Sequence, residues 1–204
     1  MKKDGMAYTV LFTFVVCIAF VFFLALANEL TKDKVAANRR LAERSAVLSA
    51  LGFEAVPDQV DALYEKNVRT VDSPASPLYA ATVDGQARFA KNFSGAGLWG
   101  TITGVLAVDS GVERIIGLRI ISHNETPGLG GRIDEGWFKD QFAGERIGAD
   151  GIRVRQGSGK GDGDPDNSEV DSVTGASRTS ESMQSIVNKE IADFRTVQAA
   201  GGLK

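Results

Sequence analysis

Between Ala7 and Ala27 the chain reads AYTVLFTFVVCIAFVFFLALA, 21 residues without a charged side chain. Coiled as an α-helix, such a run spans roughly 30 Å, the hydrocarbon thickness of a bilayer, and it reads as one transmembrane helix. A cleaved signal peptide is the rival reading, because Lys2 and Lys3 precede the run and Ala25-Leu26-Ala27 resembles a small-residue cleavage site. The uncleaved anchor is preferred, since the apolar core exceeds the roughly 7–15 residues of a signal-peptide core. A pilin-type anchor cut after Gly5 would carry Glu at its fifth mature position, and that place is held by Val10. Lys32, Lys34, Arg39 and Arg40 follow the run and outnumber the lysines before it. Simple charge counting would therefore keep the rest of the chain inside, although long domains translocate largely regardless of charge.

About 175 residues remain beyond the run, enough for one globular domain with a sizeable core. The net charge is −3, from 23 basic and 26 acidic residues, with no basic stripe, so nothing points to nucleic acid. Cys17 is the one cysteine and His123 the one histidine. No disulfide framework, Cys/His metal centre or iron-sulfur site can be built from that inventory.

Helical spacing of Leu30, Val35, Leu41, Val47, Leu48 and Leu51 predicts a helix over Glu29–Leu51, with Gly52 as its stop. A shorter helical pattern with a solvated acidic face follows over Glu54–Asp72, and Pro74 and Pro77 mark a change to extended chain. Leu78–Phe93 reads as a β-hairpin about Asp84-Gly85, and Ile102–Val108 pairs with Val112–Ser122 across Asp109-Ser110-Gly111. A short helix is expected over Asp134–Phe142 and a short strand over Ile152–Arg155. The stretch GSGKGDGDPDNSE, residues 157–169, reads as a flexible, solvated loop. It narrowly misses a Walker loop, having Gly161 after Lys160, and a calcium loop, having Asn167 where Gly belongs, although Asp162, Asp164 and Asp166 could hold a hard cation weakly. Met183, Ile186, Val187, Ile191, Phe194 and Val197 form one apolar face of a last helix over Ser180–Val197, with the chain beyond Ala199 frayed. The fold class expected is α+β, a mostly antiparallel sheet with packed helices, preceded by one N-terminal transmembrane helix. Its divisions are 1–6, a short cytoplasmic N-terminus; 7–27, the transmembrane helix; 28–72, a helical stalk and connecting segment; 73–199, the globular domain; and 200–204, a frayed end.

Just before the last helix stands DSVTGASRT, Asp171 to Thr179. A Gly-Ala pair among hydroxyl residues at a helix mouth suits a phosphate, because the first N–H groups of a helix lack intrahelical partners and sit at the positive end of its dipole. Thr179 is placed at the N-cap, and Thr174, Ser177 and Thr179 could equally serve only as caps and turn formers. Upstream, ETPGLGG at 125–131 combines a fixed proline dihedral with three glycines that expose backbone, and Leu129 offers an apolar face to a planar ring. It is no dinucleotide fingerprint, since Ile133 stands where a third glycine belongs.

The pattern Asp, two residues, Thr-Gly-Ala-Ser, any residue, Thr resembles the flavinylation signature of the FMN-binding domain family, with every constrained position filled by Asp171, Thr174, Gly175, Ala176, Ser177 and Thr179. That family includes subunits of the Na+-translocating NADH:quinone oxidoreductase and of the Rnf electron-transport complex. The resemblance implies a covalent FMN, joined to Thr179 by a phosphoester that a separate flavin transferase makes. It also implies flavin contacts from Glu125, Thr126, Leu129, Ser177, Ser180 and Trp99, the last being as readily a core tryptophan. Asp171 and Thr174 are expected to be read by the transferase. No catalytic residue and no metal ligand is assigned, and His123 is given no role, since electron transfer through a flavin needs no general base. The implied setting is the bacterial cytoplasmic membrane, with a single pass and the domain outside. Partners would be other membrane subunits of an ion-translocating redox complex, a second flavin-bearing one among them. The alternatives are a membrane-tethered binding or assembly module without flavin, and a secreted FMN redox protein released by cleavage after Ala27. The choice between quinone reductase and Rnf complex stays open.

Overall fold

The computed structural model describes residues 5–71 and 77–203. The flanking Lys2 and Lys3, the change of course at Pro74, the division between 72 and 73 and the last residue lie outside them. The first helix, α1 (Met6–Leu51), runs for 46 residues, because neither glycine nor proline interrupts it. Two compact units divide after Leu41. In the first, the side chains of the apolar run are exposed, among them Phe12, Phe20, Phe22 and Leu24. Among the described residues α1 is the one helix long and apolar enough to cross a membrane.

The second unit begins at Ala42, well before the start expected at 73, because the last turns of α1 are part of its core. Ala46, Val47, Ala50 and Leu51 bury against Ala81, Ala90, Val105 and Ala107 of the sheet. Gly52, at φ +91°, ends the helix, with Phe53 N–H donating to Leu48 O and Gly52 N–H to Ser49 O, the double closure of a left-handed cap. Arg88 donates to the freed Leu51 carbonyl at 2.7 Å.

Strands β1 (Arg69–Val71), β2 (Leu78–Val83), β3 (Gln86–Ala96), β4 (Thr101–Asp109) and β5 (Ile115–Ser122) pair antiparallel in sequence order. The β2–β3 turn has positive φ at both Asp84 and Gly85, the mirror-image turn that matches strand twist, as the Asp-Gly pair predicts. Strand β5 starts three residues later than expected, because the Asp109 carboxylate accepts the N–H groups of Glu113 and Arg114 and holds them in the turn. Strand alternation then covers both faces: Phe89, Phe93, Leu106 and Leu118 turn away from α1 towards Met183, Val187, Ile191 and Phe194 of α4 (Ser177–Ala199). A buried ionic contact fixes α4 on that face, with Lys91 Nζ 2.7 Å from Glu190 and 2.5 Å from Asp193. Burial alone would lower the Lys91 pKa, but these carboxylates outweigh it and hold the ammonium above its ordinary value.

Several expectations change. The Glu54–Asp72 helix contracts to α2 (Val60–Asn67) behind a 3-10 turn at Pro57–Gln59, since Arg69–Val71 pairs with β2 instead. Its acidic face is not merely solvated, for Arg44 reaches Asp61 and Glu65, each at 2.7 Å. The Asp134–Phe142 helix divides into a 3-10 turn at Gly130–Asp134 and α3 (Gly136–Asp140), which buries Phe138. The chain past Ala199 is tied down rather than frayed: Gly202 N–H donates to Val197 O and Leu203 is 6% exposed.

Strands β6 (Arg153–Arg155) and β7 (Glu169–Asp171) form a small parallel pair, and the loop between them carries more internal bonds than a free loop would. Buried Glu145 accepts the Ser168 N–H there, at 2.7 Å. Burial is the main cause that pushes its carboxyl up to about 7, with Asp162 and Asp164 adding to the rise and backbone donors at Ser168 and Glu169 opposing it.

Both buried charges can be tested by unfolding. Because the folded chain holds the Glu145 proton more tightly than the unfolded one, this group's contribution to stability is full below the ordinary carboxylate range and is lost as pH rises to about 7. Urea midpoints measured across that window will fall more steeply for the parent than for Glu145→Gln. Lys91→Met leaves Glu190 buried without its partner and will cost roughly 3–5 kcal/mol in the same assay, most of which a second change, Glu190→Leu, restores.

Candidate functional site

The helix α4 opens at Ser177, two residues before the Thr179 cap expected from sequence. Gly175, at φ +79°, makes the break in direction, and Ala176 is the N-cap, with no side chain to serve the first turn. Ser180 fixes this start from inside: its hydroxyl accepts the Val173 N–H and donates to Ala176 O, each at 3.0 Å. The N–H groups of the first turn are therefore left without a side-chain cap, and no acidic residue stands among them.

Thr179 is the third helical residue, and its side chain is fully buried. Its hydroxyl donates to Glu125 Oε2 at 2.6 Å. The other oxygen, Oε1, accepts the backbone N–H of Trp99 at 3.0 Å, and the Glu125 N–H donates to His123 Nδ1 at 3.2 Å. Glu125, 4% exposed, thus joins the tip of the β3–β4 hairpin, the segment after β5 and the first turn of α4.

Glycines let these three segments close up. A Cβ on Gly130 would lie 2.5 Å from Thr179 Oγ1 and 2.8 Å from Glu125 Oε2, and one on Gly97 would lie 2.4 Å from Glu125 Oε1. A Cβ on Gly175 would meet Leu129 Cδ2 at 3.4 Å, so Leu129 lies over the break before α4. Around this buried centre the surface is apolar, with Trp99 70% and Leu129 47% exposed. Trp99 is not a core residue. Thr126, Thr174 and Ser177 are exposed too, whereas Ser180 is buried with its hydroxyl spent on the backbone. The buried Thr179 and Glu125 and the exposed Trp99, Thr126, Leu129, Thr174 and Ser177 therefore fall in one region.

Asp171 is 7% exposed and turned inward. Its Oδ2 accepts from Ser158 Oγ at 3.0 Å and from the Gly159 N–H at 3.1 Å. Gln141 grips its backbone on both sides, donating to Asp171 O and accepting the Asp171 N–H. A Cβ on Gly157 would overlap the carboxylate, at 1.5 Å from Oδ1. The glycine-rich loop is thus packed on the signature, a role hidden in sequence by its near misses to other motifs. The position of His123 behind Glu125, and the crowding at Gly97 and Gly130, also escaped sequence reasoning. A histidine two residues before the Glu was the signal available.

Residues 97–192 match the FMN-binding domain family, from the hairpin tip to within α4. The chain is 33% identical over 98 residues to a Na(+)-translocating NADH-quinone reductase subunit of Yersinia pestis, covering 46% of this chain and 36% of that one. It is 31% identical over 141 residues to an ion-translocating oxidoreductase complex subunit of Stutzerimonas stutzeri, covering 67% and 61%. It therefore spans between about a third and three fifths of the length of these relatives. Among solved structures, Shewanella oneidensis NqrC superposes with a TM-score of 0.69 at 20% identity, over 81% of this chain and 99% of that chain. A Na(+)-translocating NADH-quinone reductase subunit from Parabacteroides distasonis gives 0.62 at 23%, over 80% and 91%. The likeness to these solved structures establishes the α+β fold, and the family match identifies residues 97–192 as similar to the FMN-binding domain.

Proposed function

We infer that this chain is a membrane-anchored electron carrier that holds one FMN through a phosphoester on Thr179 and works within an ion-translocating NADH:quinone or ferredoxin:NAD oxidoreductase complex. The observation that carries the reading is the buried Thr179 hydroxyl, bonded to Glu125 in the first turn of a helix that has no side-chain cap. An anionic phosphate on that oxygen would have unpartnered N–H groups and the positive end of the α4 dipole beside it. Trp99 and Leu129 are exposed apolar surfaces of the kind that pack on a flavin ring, and Thr126 with its neighbouring backbone offers polar groups to the ring edge. The residues present fit the cofactor.

Bound FMN supplies reversible electron transfer; the chain supplies attachment, orientation and the local field. Glu125 orients the attachment oxygen, Gly97 and Gly130 allow the segments to close on it, and Asp171 holds the approach to α4 through the 157–159 loop. The charge-free run in α1, with its side chains exposed, supports a membrane anchor, and the family resemblance adds the cytoplasmic membrane with the folded unit on the outer side. Partners would be the other membrane subunits, one of them carrying a second flavin, and a flavin transferase during maturation.

A second reading draws on exposed Trp99 and its neighbour Leu98, 51% exposed, which would equally suit a tethered module that binds a protein partner and carries no flavin. Colour decides between them. Purified from a host that has a flavin transferase, the parent will be yellow and will stay yellow through denaturation and gel filtration, whereas Thr179→Ala will lose its colour on denaturation. A colourless parent from such a host would favour the module.

A further inference from the structure

A threonine hydroxyl is a weak nucleophile and needs a base within hydrogen-bond reach before it can attack phosphorus. Among the described residues, the one side chain that hydrogen-bonds Thr179 Oγ1 is the buried Glu125, at 2.6 Å. The carboxylate is itself held in place: Trp99 N–H occupies Oε1, and the close approach of Gly97 on one side and Gly130 on the other leaves it little room to turn. Nucleophile, base and a third group that orients the base form the arrangement by which hydroxyl groups are activated. His123 does not compete, because its Nδ1 already accepts the Glu125 N–H.

We propose that Glu125 is the proton acceptor for Thr179 when the FMN phosphoester forms, so that this chain contributes a catalytic residue to its own modification. The inference rests on the reading of Thr179 as the FMN-bearing residue. In the step, the Thr179 O–H bond breaks and its proton passes to Glu125 Oε2. The freed oxygen bonds to the flavin-side phosphorus of a flavin dinucleotide donor; the pyrophosphate P–O bond breaks, and its electron pair leaves with a nucleoside monophosphate. Nothing is oxidised or reduced. The same proton transfer leaves a neutral carboxyl beside the new phosphodiester, where a carboxylate would face a like charge in a buried site.

The test is attachment kinetics by intact mass, using the full chain, its flavin transferase and flavin dinucleotide. Glu125→Gln keeps the shape and loses the base; it will slow attachment at saturating chain by roughly 10²–10⁴-fold with little change in the half-saturating concentration. Glu125→Asp will recover part of the rate, and added formate will accelerate Glu125→Ala without affecting Glu125→Gln. Near-ultraviolet circular dichroism confirms that each variant is folded. Parental rates in Glu125→Gln, or a folded Glu125→Ala that formate does not rescue, would overturn the proposal and leave the Thr179 reading standing. A parent that gains no mass would overturn that reading and the proposal with it.

Discussion

The hydrogen bond from Thr179 to Glu125 is the contact on which the rest of the folded unit converges. It links residues 54 positions apart, and both partners are almost wholly removed from water. A hydrogen bond to a charged group is worth about 1.5–3 kcal/mol, while either partner left alone in that place would carry its full desolvation cost. Its geometry therefore demands that α4 sit in one register on the sheet. The apolar face from Met183 to Phe194 provides most of that grip, and Lys91 between Glu190 and Asp193 chooses among the positions that oily packing alone would tolerate. On the opposite face of the sheet, the end of α1 completes the core against Ala90, Val105 and Ala107.

The same region accepts features that stability alone would not select. A tryptophan and two leucines stand exposed beside a buried carboxylate, and the first turn of a 23-residue helix lacks a cap. Each would be easy to remedy, with polar side chains at the hairpin tip or a serine at the N-cap. That they occur together, around a hydroxyl enclosed by glycine-lined walls, is consistent with the cofactor attachment proposed for Thr179.

Much of the fold was legible because short-range rules agreed with long-range packing. Asp84-Gly85 between alternating runs specifies one turn, and the spacing from Met183 to Phe194 specifies one helix face, so the sheet meander and α4 appear where the residues place them. The start of α4 was less legible, because Thr174, Ser177 and Thr179 are all acceptable caps and only the left-handed conformation of Gly175 decides among them. Arg44 was unreadable as a partner for Asp61 and Glu65, as was Leu203 as a core residue, since both depend on contacts across the chain. At the candidate site, the residues lie in two short strings that do not reveal what each side chain touches. Asp171 faces inward to the glycine-rich loop, Ser180 is consumed by the backbone, and Glu125 accepts the Thr179 hydroxyl.

Everything proposed for the site turns on which oxygen carries the flavin. Trypsin cuts after Arg178 and separates Ser177 from a peptide, Thr179 to Lys189, that holds Thr179 and Ser180. Tandem mass spectrometry of that digest, on protein matured with a flavin transferase, is the most direct measurement. One FMN phosphate is expected on the latter peptide, with fragment ions that place it on Thr179. Flavin on Ser177 or Ser180, or on neither peptide, would contradict attachment at Thr179.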